Sequence, residues 1–361
     1  MIAPSRVMSS VYMPWAKTRS HAKFNLATSG MMNYPLAELP VKLEDLDLCG
    51  PSYYGYAPLQ EAIAAHYGVT PDRVAAATGT SMANHLAMAA AFAPGDEVLV
   101  EHPTYELLLA TLGYLGADIK RFARTPESGF RLDAAAVERA VSPRTRLIVV
   151  TNLHNPSSAL TGEETLREVG EIAKRVGARV LVDEVYLDAA FEKAPRSAYF
   201  LGPQFIVTNS LTKVYGLSGL RCGWVLAEPA LIQRVWQLND LFGVIPAHPA
   251  ERLSCIAFAH LDTILARTRR LLDANRPVLH RFLDSRKDLE GGRIEYGTVS
   301  FPRLKSGPVE KFCAIAREKF DATVVPGSFF EMPEFFRLGI AGDTAMLEAG
   351  LERLSSALDQ M

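Results

Sequence analysis

Between about residues 70 and 230 the chain alternates short runs of aliphatic and β-branched residues with stretches whose apolar positions recur at helical spacing. The runs at 97–101, 119–122, 147–151, 180–183, 205–208 and 223–226 predict strands. Between the third and fourth runs, Leu166, Val169, Ile172, Ala173 and Val176 share one helical face, and Gly177 follows as a C-cap. Strand, helix and strand in succession require crossover connections. The expected fold is therefore α/β, a mainly parallel sheet covered on both faces, with a smaller α+β part after it. Ligands of such sheets bind at the carboxyl ends of the strands, so the residues just after each run are where chemistry is sought.

After Pro249 the pattern changes to one long helical stretch over about 250–285. A shorter α+β segment follows: a strand over 299–304, a helix over 309–319, a Pro326-Gly327 turn, a strand over 336–340 and a closing helix from Thr344. These changes divide the chain into an N-terminal arm (1–44) joining the small domain, a large domain (45–250) and a small C-terminal domain (251–361). One uncharged run, 74–95, is long enough to cross a bilayer. It carries Thr78, Gly79, Thr80, Ser81, Asn84, His85 and Pro94, and reads instead as soluble core with a functional turn before a helix over 82–93.

Lysine and arginine number 38 against 40 acidic residues in 361, a net charge of −2, so no overall basic field exists to gather nucleic acid or an anionic membrane. Cys49, Cys222, Cys255 and Cys313 lie too far apart for a metal-ligand cluster, which suits a reduced, cytoplasmic chain without structural metal. The charges of Arg6, Lys17, Arg19 and Lys23 interrupt any apolar stretch that would serve as a signal peptide.

The most informative segment runs from Ser210 through Thr212, Lys213, Tyr215, Gly216, Gly219 and Arg221 to Gly223, directly after a predicted strand. An enclosed lysine can lose its proton and form an imine with an aldehyde. Arg221 and Ser210 suit a phosphate, and the glycines let backbone approach a bulky ligand. Taken alone, the lysine reads more readily as a surface residue in a glycine-rich turn. Asp183 ends another strand with Tyr186 three residues on; a buried acid there calls for a cation, although a strand-end Asp also serves as a cap. Gly79, Thr80 and Ser81 open a helix whose N-terminus suits an anion or a plain cap. Asn155, in Asn152-Leu153-His154-Asn155-Pro156-Ser157-Ser158, offers an amide donor in a sequence that also favours a turn.

In this order the four pieces resemble the fold-type I pyridoxal-phosphate enzymes, specifically the class I/II aminotransferases, from about Tyr53 to Arg337. The Ser-x-Thr-Lys-x-Tyr-Gly-Leu-x-Gly-x-Arg-x-Gly loop is the specific element. The resemblance implies that Lys213 holds pyridoxal 5′-phosphate as an internal aldimine and then shuttles the substrate α-proton to the cofactor C4′. It implies that Asp183 keeps the pyridinium protonated, that Tyr186 and Asn155 contact the ring 3-oxygen, and that Gly79, Thr80, Ser81, Ser210 and Arg221 cradle the phosphate. Tyr105 matches the ring that stacks on the pyridine, Arg337 matches the arginine that grips the substrate α-carboxylate, and Gly30 falls at the substrate side. Where the family often reads Asn-Pro-Thr-Gly, this chain has Asn155-Pro156-Ser157-Ser158, without the glycine. Tyr53, Tyr54 and Tyr56 lie where relatives place a tyrosine that reaches a neighbouring subunit, which implies a homodimer.

The implied reaction is transfer of an amino group from an L-amino acid to a 2-keto acid. The same constellation also supports a lyase, a cyclase or a non-catalytic pyridoxal-phosphate-binding protein. Candidate side-chain pocket residues are Tyr12, Met13 and Trp15, the Ser29-Gly30-Met31 turn, Phe242 to His248, and Phe329-Phe330. They are mostly apolar, and no arginine lies between Gln237 and Glu251 to receive a second carboxylate. Arg252 and His248 are the nearest alternatives.

Overall fold

The computed structural model describes residues 7–361; Met1 to Arg6, the start of the arm, lie outside the described residues. Seven strands form the central sheet: β1 (Val74–Thr78), β2 (Glu97–His102), β3 (Asp118–Ala123), β4 (Thr145–Thr151), β5 (Arg179–Asp183), β6 (Phe205–Ser210) and β7 (Cys222–Leu226). Their order across the sheet is β1-β7-β6-β5-β4-β2-β3. Five strands run parallel from β3 to β6, while β7 is antiparallel to both its neighbours. Every residue of β6 and β7 is buried, as in a sheet covered on both faces.

The described helices are α1 (Tyr12–Thr18), α2 (Ala57–Tyr67), α3 (Gly79–Ala91), α4 (Glu106–Tyr114), α5 (Ala134–Ala140), α6 (Glu163–Val176), α7 (Pro229–Asp240), α8 (His248–Ala259), α9 (Leu261–Ser285), α10 (Val309–Phe320) and α11 (Thr344–Leu358). α3 packs on β6, β7 and α7, and α6 packs on β4, β5 and α5. Helix α6 illustrates why these segments fold as they do. It buries Leu166, Val169, Ile172 and Ala173 on one face, and carries Glu163 and Glu164 in its first turn and Lys174 and Arg175 in its last. That charge order complements the helix dipole, and Gly177 at φ 73° closes the helix in the left-handed region.

Two expectations are corrected. The predicted single helix over 250–285 is two helices, α8 and α9, broken at His260 with φ −125° and ψ 17°. The predicted strand over 299–304 is two, Val299–Ser300 and Pro302–Leu304, which pair with different partners. β1 is an addition: Val74 to Thr78 lay inside the uncharged run, and it pairs residue for residue with β7. Near the chain's start, Phe24–Asn25 pairs in parallel with Ala322–Thr323. The buried apolar side chains form one continuous cluster from Phe24 to Leu358. A second, aromatic cluster gathers Tyr12, Phe130, Phe301, Phe330 and Phe335.

Under the carboxyl ends of the strands lies a buried ion pair. Arg124 Nη1 donates to Glu101 Oε2 at 2.8 Å, and both side chains are fully buried. Arg124 Nε donates to the Phe130 carbonyl at 2.7 Å, and Thr151 donates its N–H and its hydroxyl to Glu101 Oε1. Burial pushes the Glu101 carboxyl up and the Arg124 guanidinium down, each opposed by the other's charge. Removing one partner strands the other in a dry interior, so Arg124→Met should cost about 3–5 kcal/mol of stability. A fall in the thermal midpoint of several degrees checks this; an unchanged midpoint refutes it.

Candidate active site

The turns after β1, β4, β5 and β6 converge on one cavity of about 220 Å³. Its walls include Thr80, Ser81, Tyr105, Asn155, Asp183, Tyr186, Ser210, Lys213 and Arg221, all named from the sequence. A cavity of about 670 Å³ is lined in part by Phe130, Phe301 and Phe335 of the aromatic cluster. Its polar lining is mainly exposed rim charges such as Asp284, Arg293 and Glu334, several of them paired with each other or with neighbours, and it contains no lysine. The residues singled out from the sequence therefore gather in the smaller cavity.

Part of its wall is the turn that leads from β1 into α3. Gly79 turns directly from β1 into α3 at φ 75°, and its N–H donates to the Arg221 carbonyl at 2.7 Å. Arg221 reaches back across this turn, donating from Nη2 to the Thr78 carbonyl at 3.3 Å and from Nη1 to the Ser218 carbonyl at 3.3 Å. A Cβ on Gly79 would strike the Arg221 guanidinium, and one on Gly223 would strike the Gly79 backbone. These two glycines thus permit backbone and side chain to close on each other, a more local task than approach to a ligand. Thr80 Oγ1 and Thr212 Oγ1 are buried without a hydrogen-bond partner among the described residues, while Ser210 Oγ accepts from the Thr212 N–H at 3.2 Å.

Asp183, 5% exposed, ends β5 at the cavity's other side. Its Oδ2 accepts from Asn84 Nδ2 at 2.8 Å and its Oδ1 from the Val185 N–H at 3.1 Å. Burial nevertheless dominates and pushes its carboxyl up to about 6, with Glu101 adding to the rise and Lys213 opposing it. Asn84 is fixed in turn by Thr208, whose hydroxyl donates to Asn84 Oδ1 at 2.6 Å. The neighbouring Glu184 is pushed up to about 7, also by burial, but it accepts from the Ala198 N–H and lies outside the cavity wall.

Lys213 follows β6, half-buried, and its Nζ donates to Ser29 Oγ at 3.1 Å. Tyr186 donates its hydroxyl to the same Ser29 Oγ at 2.9 Å. Gly30 packs against the lysine stem: a Cβ there would lie 3.3 Å from Lys213 Cδ. Tyr105 forms part of the wall, its hydroxyl driven up by burial and donating weakly to Met13 Sδ at 3.7 Å.

Arg337 is 1% exposed and stands behind the wall. Its Nη1 donates to Asn155 Oδ1 at 2.9 Å and its Nη2 to Tyr12 Oη at 3.1 Å, while Nε has no partner among the described residues. The Phe330 ring lies 5.0 Å from the guanidinium carbon. Ser158, which replaces the family's glycine, takes φ 61°, the left-handed conformation a glycine would supply. Its hydroxyl donates to the Val299 carbonyl at 2.7 Å and its N–H to the His154 carbonyl at 2.7 Å.

The remaining candidates sit elsewhere. Tyr53 and Tyr54 are exposed, and Tyr56 packs edge-on against His248. His248 is buried beside Ser52 and Glu251, and Arg252 is paired with Asp45 and Asp47. None of residues 242–248 lines the cavity, whereas Tyr12 and Met13 do; Trp15 stacks on Tyr12 and Phe329 meets it edge-on. Sequence placed Ser29 only in a candidate pocket turn and assigned Asn84 no site role; in the structure Asn84 bonds directly to Asp183 and Ser29 to Lys213, each remote from it in sequence.

A profile of the aminotransferase class I and II family matches residues 48–354, and the chain belongs to that family. It is 30% identical over 372 residues to capreomycidine synthase of Streptomyces vinaceus, covering 98% of this chain and 95% of that protein. Among solved structures, a PLP-dependent aminotransferase from Streptococcus suis superposes with a TM-score of 0.91 at 28% identity, covering 100% of this chain and 99% of the other. The PLP-dependent cyclase OrfR superposes at 0.89 with 24% identity over 99% of each chain, a likeness of fold. The mixed, mostly parallel sheet flanked by helices is the fold-type I aminotransferase fold.

Proposed function

We propose that this chain is a pyridoxal-phosphate-dependent aminotransferase that moves the amino group of an L-amino acid to a 2-keto acid, with Lys213 as the cofactor's anchor. The observation that carries the reading is Asp183, a buried carboxylate raised to about 6 that faces the same cavity as the Lys213 amine. A protonated pyridine nitrogen is the cation such a carboxylate lacks. The other end of the cavity suits a phosphate: Arg221 supplies charge, Ser81 and Ser210 supply hydroxyls, and Thr80 and Thr212 hold buried hydroxyls without partners among the described residues.

Bound there, pyridoxal phosphate supplies an electron-withdrawing ring that takes up charge developing at the substrate α-carbon. Asp183 would hold the proton on the ring nitrogen. Lys213 Nζ would take the substrate α-proton and hold it for return. Arg337 would meet the substrate α-carboxylate, oriented by Asn155 and Tyr12. Tyr12, Met13 and Tyr105 leave an apolar and aromatic boundary on the substrate side, which favours side chains without a second carboxylate. The pairing of Phe24–Asn25 with Ala322–Thr323 supports reading 1–44 as an arm of a small domain (251–361) beside a cofactor domain (45–250). Exposed Tyr53, Tyr54, Phe242 and Val244 support a homodimer.

A second reading, a cyclase or lyase on the same cofactor, is favoured by the similarity to capreomycidine synthase across nearly the whole chain. One experiment separates the two. Amino acids are added singly to the cofactor-loaded protein, with and without a 2-keto acid, while visible absorption and products are followed. Transamination gives product equal to enzyme without an acceptor and turnover only with one. A cyclase or lyase turns over without an acceptor, and no spectral change with any amino acid refutes both.

A further inference from the structure

The Ser29 hydroxyl sits between the two polar groups nearest the reacting centre. Ser29 is 8% exposed, and its Oγ accepts from Lys213 Nζ at 3.1 Å and from Tyr186 Oη at 2.9 Å. Those two contacts use both lone pairs of the oxygen. The serine is not needed to hold its own turn. Thr298 Oγ1 donates to the Ser29 carbonyl at 2.7 Å, and the Met31 N–H donates to the Lys213 carbonyl at 2.8 Å. Both bonds use backbone atoms of the turn and would survive loss of the hydroxyl. The side chain therefore acts on Lys213 and Tyr186 rather than on the backbone.

We infer that Ser29 is a positioning residue for the Lys213 amine. A lysine head turns freely about its Cδ–Cε and Cε–Nζ bonds, and only one orientation aims its lone pair at a carbonyl carbon held in the cavity. Accepting one N–H at Ser29 Oγ fixes that rotation, and Tyr186 fixes the serine rotamer in turn. The step this serves first is capture of the cofactor aldehyde. The neutral amine forms a C–N bond to the carbonyl carbon, and the carbonyl oxygen leaves as water with the two amine protons. The same orientation serves the amine whenever it is released from the cofactor. The inference rests on Lys213 being the cofactor's anchor.

Ser29→Ala, Ser29→Cys and Ser29→Thr test it, first as apoproteins mixed with pyridoxal phosphate in a stopped-flow instrument. Ser29→Ala should capture the cofactor at least about tenfold more slowly than the wild type, the loss expected for one hydrogen bond to a reacting amine. Ser29→Cys, whose sulfur accepts weakly, should behave like Ala, and Ser29→Thr, which keeps the oxygen, should restore most of the rate. With substrate, Ser29→Ala should lower kcat by a similar factor and leave KM within about twofold. Capture by Ser29→Ala at the wild-type rate overturns the inference. So does equal slowing in Ser29→Thr with an unchanged melting temperature, which would make the position one of shape. If Ser29→Ala does not fold, Ser29→Cys decides by the same criteria. Absence of a borohydride-reducible adduct on Lys213 in the wild type is a different result: it refutes the reading of Lys213, and the role of Ser29 falls with it.

Discussion

Lys213→Ala is expected to slow amino transfer by about 10⁴-fold, because in the proposed function one amine both anchors the cofactor and carries the α-proton. Its neighbours offer no substitute: Tyr186 and Ser29 are hydroxyls, and the Arg221 guanidinium is directed to the Thr78 and Ser218 carbonyls. The fold should survive, since the Lys213 carbonyl still accepts from the Met31 N–H and the stem is only half-buried. Single-turnover assays with an amino donor measure the rate, and borohydride reduction followed by peptide mapping locates the adduct. A variant within tenfold of the wild type, or one that still forms a reducible lysine adduct in this cavity, would sink the assignment.

Asp183→Asn should lower turnover by about 10²- to 10³-fold, as loss of one charged partner at a reacting centre does. It should also change how pH controls cofactor affinity. In the cofactor-free protein, burial raises the Asp183 carboxyl from 3.8 to about 6, so the proton is held more tightly in the folded than in the unfolded chain. The group therefore favours folding at low pH, and that contribution is lost as pH rises from about 4 through about 6. Cofactor binding has the opposite linkage. A cation in the cavity requires the ionised carboxylate, so the Asp183 contribution to affinity is complete above about pH 6 and falls by up to about tenfold per unit below it. Dissociation constants measured from pH 5 to 8 for both proteins check this. The wild type should weaken more steeply than Asp183→Asn toward pH 5, the cofactor's own titration being common to both. Parallel curves would remove Asp183 from the cation's side.

The loop from Ser210 to Gly223 was legible because its residue types serve chemistry and its position follows a strand. Thr80, Asn155, Asp183, Lys213 and Arg221 accordingly meet on one cavity wall. β1 was hidden for a physical reason: Ala75, Ala76 and Ala77 have little intrinsic strand preference, and pairing with β7 makes them a strand. The break at His260 has neither proline nor glycine to announce it. It arises where α8, packed on α2, gives way to α9, packed on α11. Asn84 read as one polar residue in an apolar helix until β5 and β6 brought Asp183 and Thr208 to either side of its amide.

By itself the sequence determined the alternation of strand and helix, and it singled out residues at the strand ends, Lys213, Asp183, Ser210 and Arg221 among them, that line one cavity. Those properties reside in local periodicity and side-chain type. The tertiary structure decided which distant groups set their behaviour. It brought Ser29 across 184 positions to Lys213, Tyr12 across 325 positions to Arg337, and enough apolar surface around Asp183 to raise its carboxyl to about 6. Burial and orientation are properties of the assembled neighbourhood, and no single segment of the chain contains them.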